Sequence, residues 1–162
     1  MRPVRVPEPL LQEIRAHARD TYPDECCGFL IAEPDPALPD RPRQIVAIQR
    51  AANEFEGERR RRFVIRPEEL RLAERAVESA GHVIGGFYHS HPDHPARPST
   101  FDEEHAWPWY TYVVLSVTAT EVPAIGAFEL DGDAGVFREV TLRAGTPAES
   151  EVTASLSAPE TR

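Results

Sequence analysis

Apolar positions recur along this chain at two different periods. Leu10, Leu11, Ile14 and Ala18 fall on one helical face. Pro9 suits a first turn and Pro23 bars continuation, which predicts a helix over residues 9–20. A second helical period, Leu70, Ala73, Val77 and Ala80, follows Pro67 and stops at Gly81. Strand-type patterns fill most of the rest. Residues 26–32 are a continuous apolar run of strand length, and residues 43–51 alternate roughly. Phe63, Val64 and Ile65 predict a third strand over residues 61–66. Residues 83–88 form another buried-type strand, whose Gly85-Gly86 pair allows close backbone approach and which delivers His89 to its end. Residues 99–106 read as a short helix, broken by Pro108. Residues 110–117, 124–130 and 136–142 are three more strands, the last two joined by a glycine-bearing hairpin over residues 131–135.

Between these elements, residues 33–42 carry four prolines and read as a loop, and residues 53–58 are polar and should turn. Residues 145–162 are rich in Ser, Thr, Ala, Glu and Pro, which predicts a disordered tail beyond a single domain of residues 1–144. Strands outnumber helices, and two helices flank a mostly mixed sheet. That pattern predicts an α+β, α/β-sandwich-like fold rather than a doubly wound parallel one.

Composition narrows the field. At 162 residues the chain can bury one real core. A net charge of −9 argues against a general nucleic-acid binder. The two cysteines, Cys26 and Cys27, are adjacent and cannot form an ordinary disulfide staple. The N-terminal residues lack the apolar run of a signal peptide, and no stretch approaches membrane-span length, so the expected location is cytoplasmic.

The candidate chemistry lies in residues 89–102. His89 and His91 are two residues apart, so in an extended chain both rings point the same way. Ser99 and Asp102 follow past three stiffening prolines. Two imidazoles and a carboxylate leave an open tetrahedral position, the catalytic rather than the structural zinc pattern, although such a set also suits Fe²⁺. A His-x-His pair alone is a weak signal, because surface histidines cluster by chance. Asp102 has a second reading as the acid of a capping box that starts at Ser99.

The spacing resembles the JAMM metalloproteases, the catalytic MPN-domain family. Their pattern is His-x-His, seven residues, Ser, two residues, Asp, with a glutamate far upstream, and here His89, His91, Ser99 and Asp102 match it without a gap. The segment Tyr22-Pro-Asp-Glu25-Cys-Cys-Gly-Phe-Leu30 is also similar to the family's upstream segment. The resemblance spans about residues 5 to 144. It implies an MPN/cytidine-deaminase-like curved mixed sheet flanked by helices. It also implies one Zn²⁺ held by His89, His91 and Asp102, with Ser99 donating to the oxyanion and Glu25 shuttling the proton. Read from its residues alone, Glu25 is an ordinary surface glutamate before a strand.

Other side chains have plainer readings. His94 and His105 are taken as partly exposed rather than metal-binding, and His17 and His82 as structural or solvated. Cys26 and Cys27 pack in an apolar run without a matched base. The run Arg59–Arg62 is a solvated edge that could contact an acidic partner. Trp107 and Trp109 are expected in the core, with walling of a cleft as the alternative.

A cupin-type oxygenase needs a nearby glutamate where this chain has Pro95 and Ala96, and an amidohydrolase needs a much longer barrel. A metal-free MPN scaffold for protein assembly would lack the ligands. The resemblance therefore implies a zinc peptidase or isopeptidase acting after the C-terminal Gly-Gly of a ubiquitin-fold protein. Among short prokaryotic members the implied partner is a sulfur-carrier protein, as adduct, fusion or conjugate. The tail is expected to lie along a sheet edge beside the metal.

Overall fold

The computed structural model describes residues 2–34 and 41–145. The predicted tail and most of the proline-rich loop lie outside them. In chain order the elements are β1 (Val4–Arg5), α1 (Glu8–Thr21), β2 (Cys27–Ala32), β3 (Arg43–Ala51), α2 (Pro67–Glu78) and β4 (Val83–Pro92). There follow α3 (Thr100–His105), β5 (Thr111–Val117), β6 (Ala124–Asp131), β7 (Val136–Val140) and β8 (Leu142–Arg143). The strands form one mixed sheet in the order β7-β6-β5-β4-β2-β3-β1-β8. The β4–β5, β1–β3 and β1–β8 pairs are parallel and the others antiparallel.

Alternation along the central strands divides the interior into two cores. On one face Tyr88 of β4 and Val113, Leu115 and Val117 of β5 meet Leu11, Ile14 and Ala18 of α1. Burying each such Leu or Ile side chain contributes about 1.5–3 kcal/mol. On the other face Phe87 and Tyr112 meet Phe29, Ile31 and the Ala73–Val77 stripe of α2. The sheet is thus covered on both sides, as the α/β-sandwich reading requires. Two glycines are needed for this packing. A Cβ at Gly86 would strike the Thr111 backbone, and one at Gly28 would strike the Tyr88 ring.

Three expectations need correction. Residues 61–66 form no strand. The side chain of Asn53 takes up bonds that a neighbouring strand would have made, accepting from Val64 N (3.3 Å) and donating to Arg62 O (3.0 Å). Strand β4 does not stop before His89 but runs on to Pro92, because β5 pairs with it through Pro92↔Val117. The segment 136–142 divides: β7 pairs with β6, while β8 joins β1 at the far edge of the sheet.

Candidate metal centre

His89 and His91 lie in the middle of the sheet, paired to β5 at Val114 and Ser116. Alternation sends both rings to the α2 face and sends Tyr88 and Ser90 to the other. The Cys27↔His89 pairing of β2 with β4 fixes what lies alongside. Continued two residues, that antiparallel register sets Glu25 opposite His91. Three hydrogen bonds hold the extension: Cys26 N donates to the Ser90 side-chain Oγ (2.8 Å), Ser90 N to Cys26 O (3.1 Å) and Glu25 N to Arg59 O (2.8 Å). Glu25 Oε1 comes to 3.8 Å from His91 Nε2, and the residue is 3% exposed.

Asp102 arrives from α3. Ser99 Oγ accepts from Asp102 N (3.1 Å) and Asp102 Oδ2 accepts from Ser99 N (2.7 Å), a complete capping box. The same Oδ2 faces His89 Nε2 at 3.1 Å and His91 Nε2 at 3.2 Å. The two readings of Asp102, cap and site carboxylate, therefore hold together. Because Ser99 Oγ accepts the cap bond, its own proton remains available to donate.

The donor set suits a divalent cation. The two histidine Nε2 atoms are 3.1 Å apart, so the three candidate ligand atoms form a nearly equilateral triangle. Ligands at about 2.0–2.1 Å from a tetrahedral zinc stand about 3.3 Å apart, close to this. The tautomer points the same way. His91 Nδ1 donates to the Pro95 carbonyl (3.1 Å), so a neutral His91 turns its Nε2 lone pair toward a carboxylate oxygen that also only accepts. Two acceptors converging in a buried place call for a positive charge between them.

Electrostatics agree with the burial. Desolvation pushes Glu25 up to about 9, with the charge of Asp102 adding to the rise. Burial would also raise Asp102, but His89 and the Ser99 N–H hold it far below the usual carboxylate range. Burial lowers His89, against the pull of Asp102.

A cavity of about 590 Å³ opens on His89 and Asp102, with Phe63, Leu70, Phe87, Phe101 and Trp107 among its walls. Trp107 and Trp109 are not core residues. They are 47% and 64% exposed and stack on each other at 6.5 Å beside the cavity, the alternative reading. His105 lies on the cavity wall with its ring on Phe101 (4.0 Å), and exposed His94 donates its backbone N–H to His91 O (3.4 Å). His17 lies on the far face, its Nδ1 2.7 Å from Tyr88 OH. Cys26 and Cys27 are buried, and burial pushes the Cys26 thiol up to about 12, which makes it inert. Beside the histidines, β4 is paired to β5 as far as Pro92 and to β2 only as far as His89. Sequence reasoning missed Asn53, the Pro95 carbonyl and the true place of Phe63. The only signal for the last was an apolar run flanked by arginines.

Known proteins are similar to this chain in sequence and in fold. Residues 7–130 match the family described as prokaryotic homologs of the JAB domain. A desampylase from Haloferax volcanii is 34% identical over 134 residues, 82% of this chain and 87% of that protein. A protein from Salinibacter ruber solved in solution is 34% identical with a TM-score of 0.66, covering 98% of this chain and 96% of that one. A second, from Desulfitobacterium hafniense, is 26% identical with a TM-score of 0.73, covering 88% of this chain and 92% of its own. A JAB1/MPN domain protein from Archaeoglobus fulgidus shares the fold at 18% identity and a TM-score of 0.55, covering 88% of this chain and 98% of that one. With its sheet, its helices and its upstream glutamate arranged in this way, the chain belongs to the prokaryotic JAB-domain family and is a hydrolase of the JAMM type.

Proposed function

We propose that this hydrolase is a zinc-dependent isopeptidase that cuts after the C-terminal Gly-Gly of a ubiquitin-fold protein. The observation that carries the reading is the convergence of Glu25 on the triangle of His89, His91 and Asp102. The desampylase relative and the JAB-domain match support cleavage of an isopeptide bond. The family's ubiquitin-fold substrates support the partner, and the resemblance to short prokaryotic members supports a sulfur-carrier protein as adduct, fusion or conjugate.

His89, His91 and Asp102 would hold the ion. Zinc bound there supplies Lewis-acid polarisation and lowers the pKa of water. Glu25 is the proton carrier: it accepts a proton from the attacking water and passes it to the leaving amine. Its raised pKa suits the protonated half of that cycle, and a cation in the triangle opposes the influence of Asp102 and favours the ionised half. The Ser99 hydroxyl donates a hydrogen bond to the oxygen that becomes negative as the carbonyl is attacked. The apolar cavity walls keep bulk water from the bond being cut. Gly-Gly suits the site because a side chain at the scissile residues would meet the buried triangle. No described helix is long and apolar enough to cross a membrane, and the proposed setting is cytoplasmic.

The test is incubation of the zinc-loaded protein with sulfur-carrier fusions, adducts and conjugates from the same genome, read by mass spectrometry. Cleavage after Gly-Gly is expected. If none is cut, the substrate class is wrong.

A further inference from the structure

The two histidines of the triangle are held in different ways. The ring of His91 is fixed by a hydrogen bond from Nδ1 to the Pro95 carbonyl (3.1 Å). That is the usual device: a metal-binding imidazole anchors its other nitrogen to an acceptor. His89 has no such anchor. It is 1% exposed, and its Nδ1 is buried without a hydrogen-bond partner. The ladder fixes its Cα, between Cys27 and Val114, but leaves the ring free to turn about χ2, a soft torsion in histidine.

What lies against that ring is Phe63. Its centroid is 4.6 Å from that of His89 and the two planes are 26° apart, a stacked contact. Phe63 is itself gripped on both sides. Asn53 Nδ2 donates to Arg62 O (3.0 Å), while Asn53 Oδ1 accepts from Val64 N (3.3 Å). The same amide donates to Glu25 O (3.1 Å) and accepts from Phe55 N (3.1 Å). All four hydrogen-bonding positions of the Asn53 side chain are used. One asparagine thus ties the backbone on both sides of Phe63 to the backbone of Glu25.

We propose that Phe63, clamped by Asn53, is a positioning residue for His89: its stacked ring sets the imidazole plane that the Pro95 carbonyl sets for His91. Asp102, 3.1 Å from Nε2, selects which edge of the ring faces the site. The inference rests on reading His89 as a metal ligand, and it goes beyond that reading by giving roles to Phe63 and Asn53.

The experiment is zinc affinity by chelator competition, with the visible spectrum of the cobalt-substituted protein, for wild type, Phe63→Ala, Phe63→Leu, Phe63→Tyr, Asn53→Ala and His89→Ala. Loss of an orienting partner typically weakens metal affinity about 10–100-fold, which is the effect expected for Phe63→Ala. Phe63→Leu keeps apolar bulk without a flat face, so it should lose affinity similarly and shift the cobalt bands. Phe63→Tyr should restore both. Asn53→Ala should fall between. Unfolding of the metal-free variants by heat separates loss of fold from loss of orientation, and Phe63→Leu carries the test if Phe63→Ala does not fold. Wild-type affinity and cobalt bands in Phe63→Leu would overturn the proposal while leaving the ligand reading intact. Unchanged zinc affinity in His89→Ala would instead overturn the ligand reading, and this proposal with it.

Discussion

The two faces of β4 carry buried polar groups put to opposite uses. On the α1 face, Tyr88 and His17 form a closed pair at 2.7 Å inside an apolar cluster. On the α2 face, one residue along the same strand, His89 and His91 turn toward a carboxylate and a glutamate. Burial is nearly equal on the two sides, with His17 at 7%, His89 at 1% and His91 at 7% exposed. Exposure therefore does not tell a structural histidine from a chemical one. What differs is satisfaction. His17 and Tyr88 complete each other, whereas on the opposite face two imidazole nitrogens and a carboxylate oxygen gather around one point that suits a cation.

The sharpest way to break this contrast is to remove the rings on one face only. His89→Ala with His91→Ala should abolish zinc binding and hydrolysis while the far-ultraviolet circular dichroism stays that of the folded protein. Zinc retained at close to one per chain would defeat the ligand assignment. Next in size, Glu25→Gln should keep the zinc and slow cleavage by about 10²–10⁴-fold, the usual worth of a positioned acid–base group. Full activity in that variant would end its role as proton carrier.

The structural face should respond in stability and not in metal content. Gly28→Ala pushes a methyl into the Tyr88 ring, and overpacking of this kind costs about 1–3 kcal/mol. Urea unfolding should show the loss with zinc stoichiometry unchanged. The smallest expected effect is a pH dependence carried by His17. Burial, then the nearby Arg50, lowers its pKa to about 4, against the opposing pull of Asp20. The unfolded chain binds this proton near pH 6.5 and the folded chain does not, so its contribution is complete above pH 6.5. Stability should fall as pH drops from 6.5 to 4. The urea midpoint of His17→Gln should be flatter over that window, and an identical slope would remove His17 from the account.

Much of this contrast was legible in the chain. The alternation of Tyr88-His89-Ser90-His91 on a strand already implies two faces. The spacing to Ser99 and Asp102 implies both a cap and a converging acid. The Leu11–Ile14–Ala18 and Ala73–Val77 stripes are helical patterns of ordinary strength, and both helices formed. Glu25 was not legible from local pattern, because its place depends on how β2 registers against β4, a pairing across 64 residues that no periodicity encodes. Phe63-Val64-Ile65 misled for a related reason. An apolar triplet has the composition of a strand, but a strand needs a partner, and Asn53 took the backbone groups of that segment first. Strands β1 and β8 are two residues each, too short to show an alternation.

The capping box has one more consequence. Helix α3 has six residues, fewer than an isolated helix needs to persist in water. Its first turn is fastened by the same Asp102 oxygen that faces both imidazoles. An ion gripped there would act as a rivet for the helix as well as a reagent, so that fraying of residues 100–105 and release of the ion become a single event.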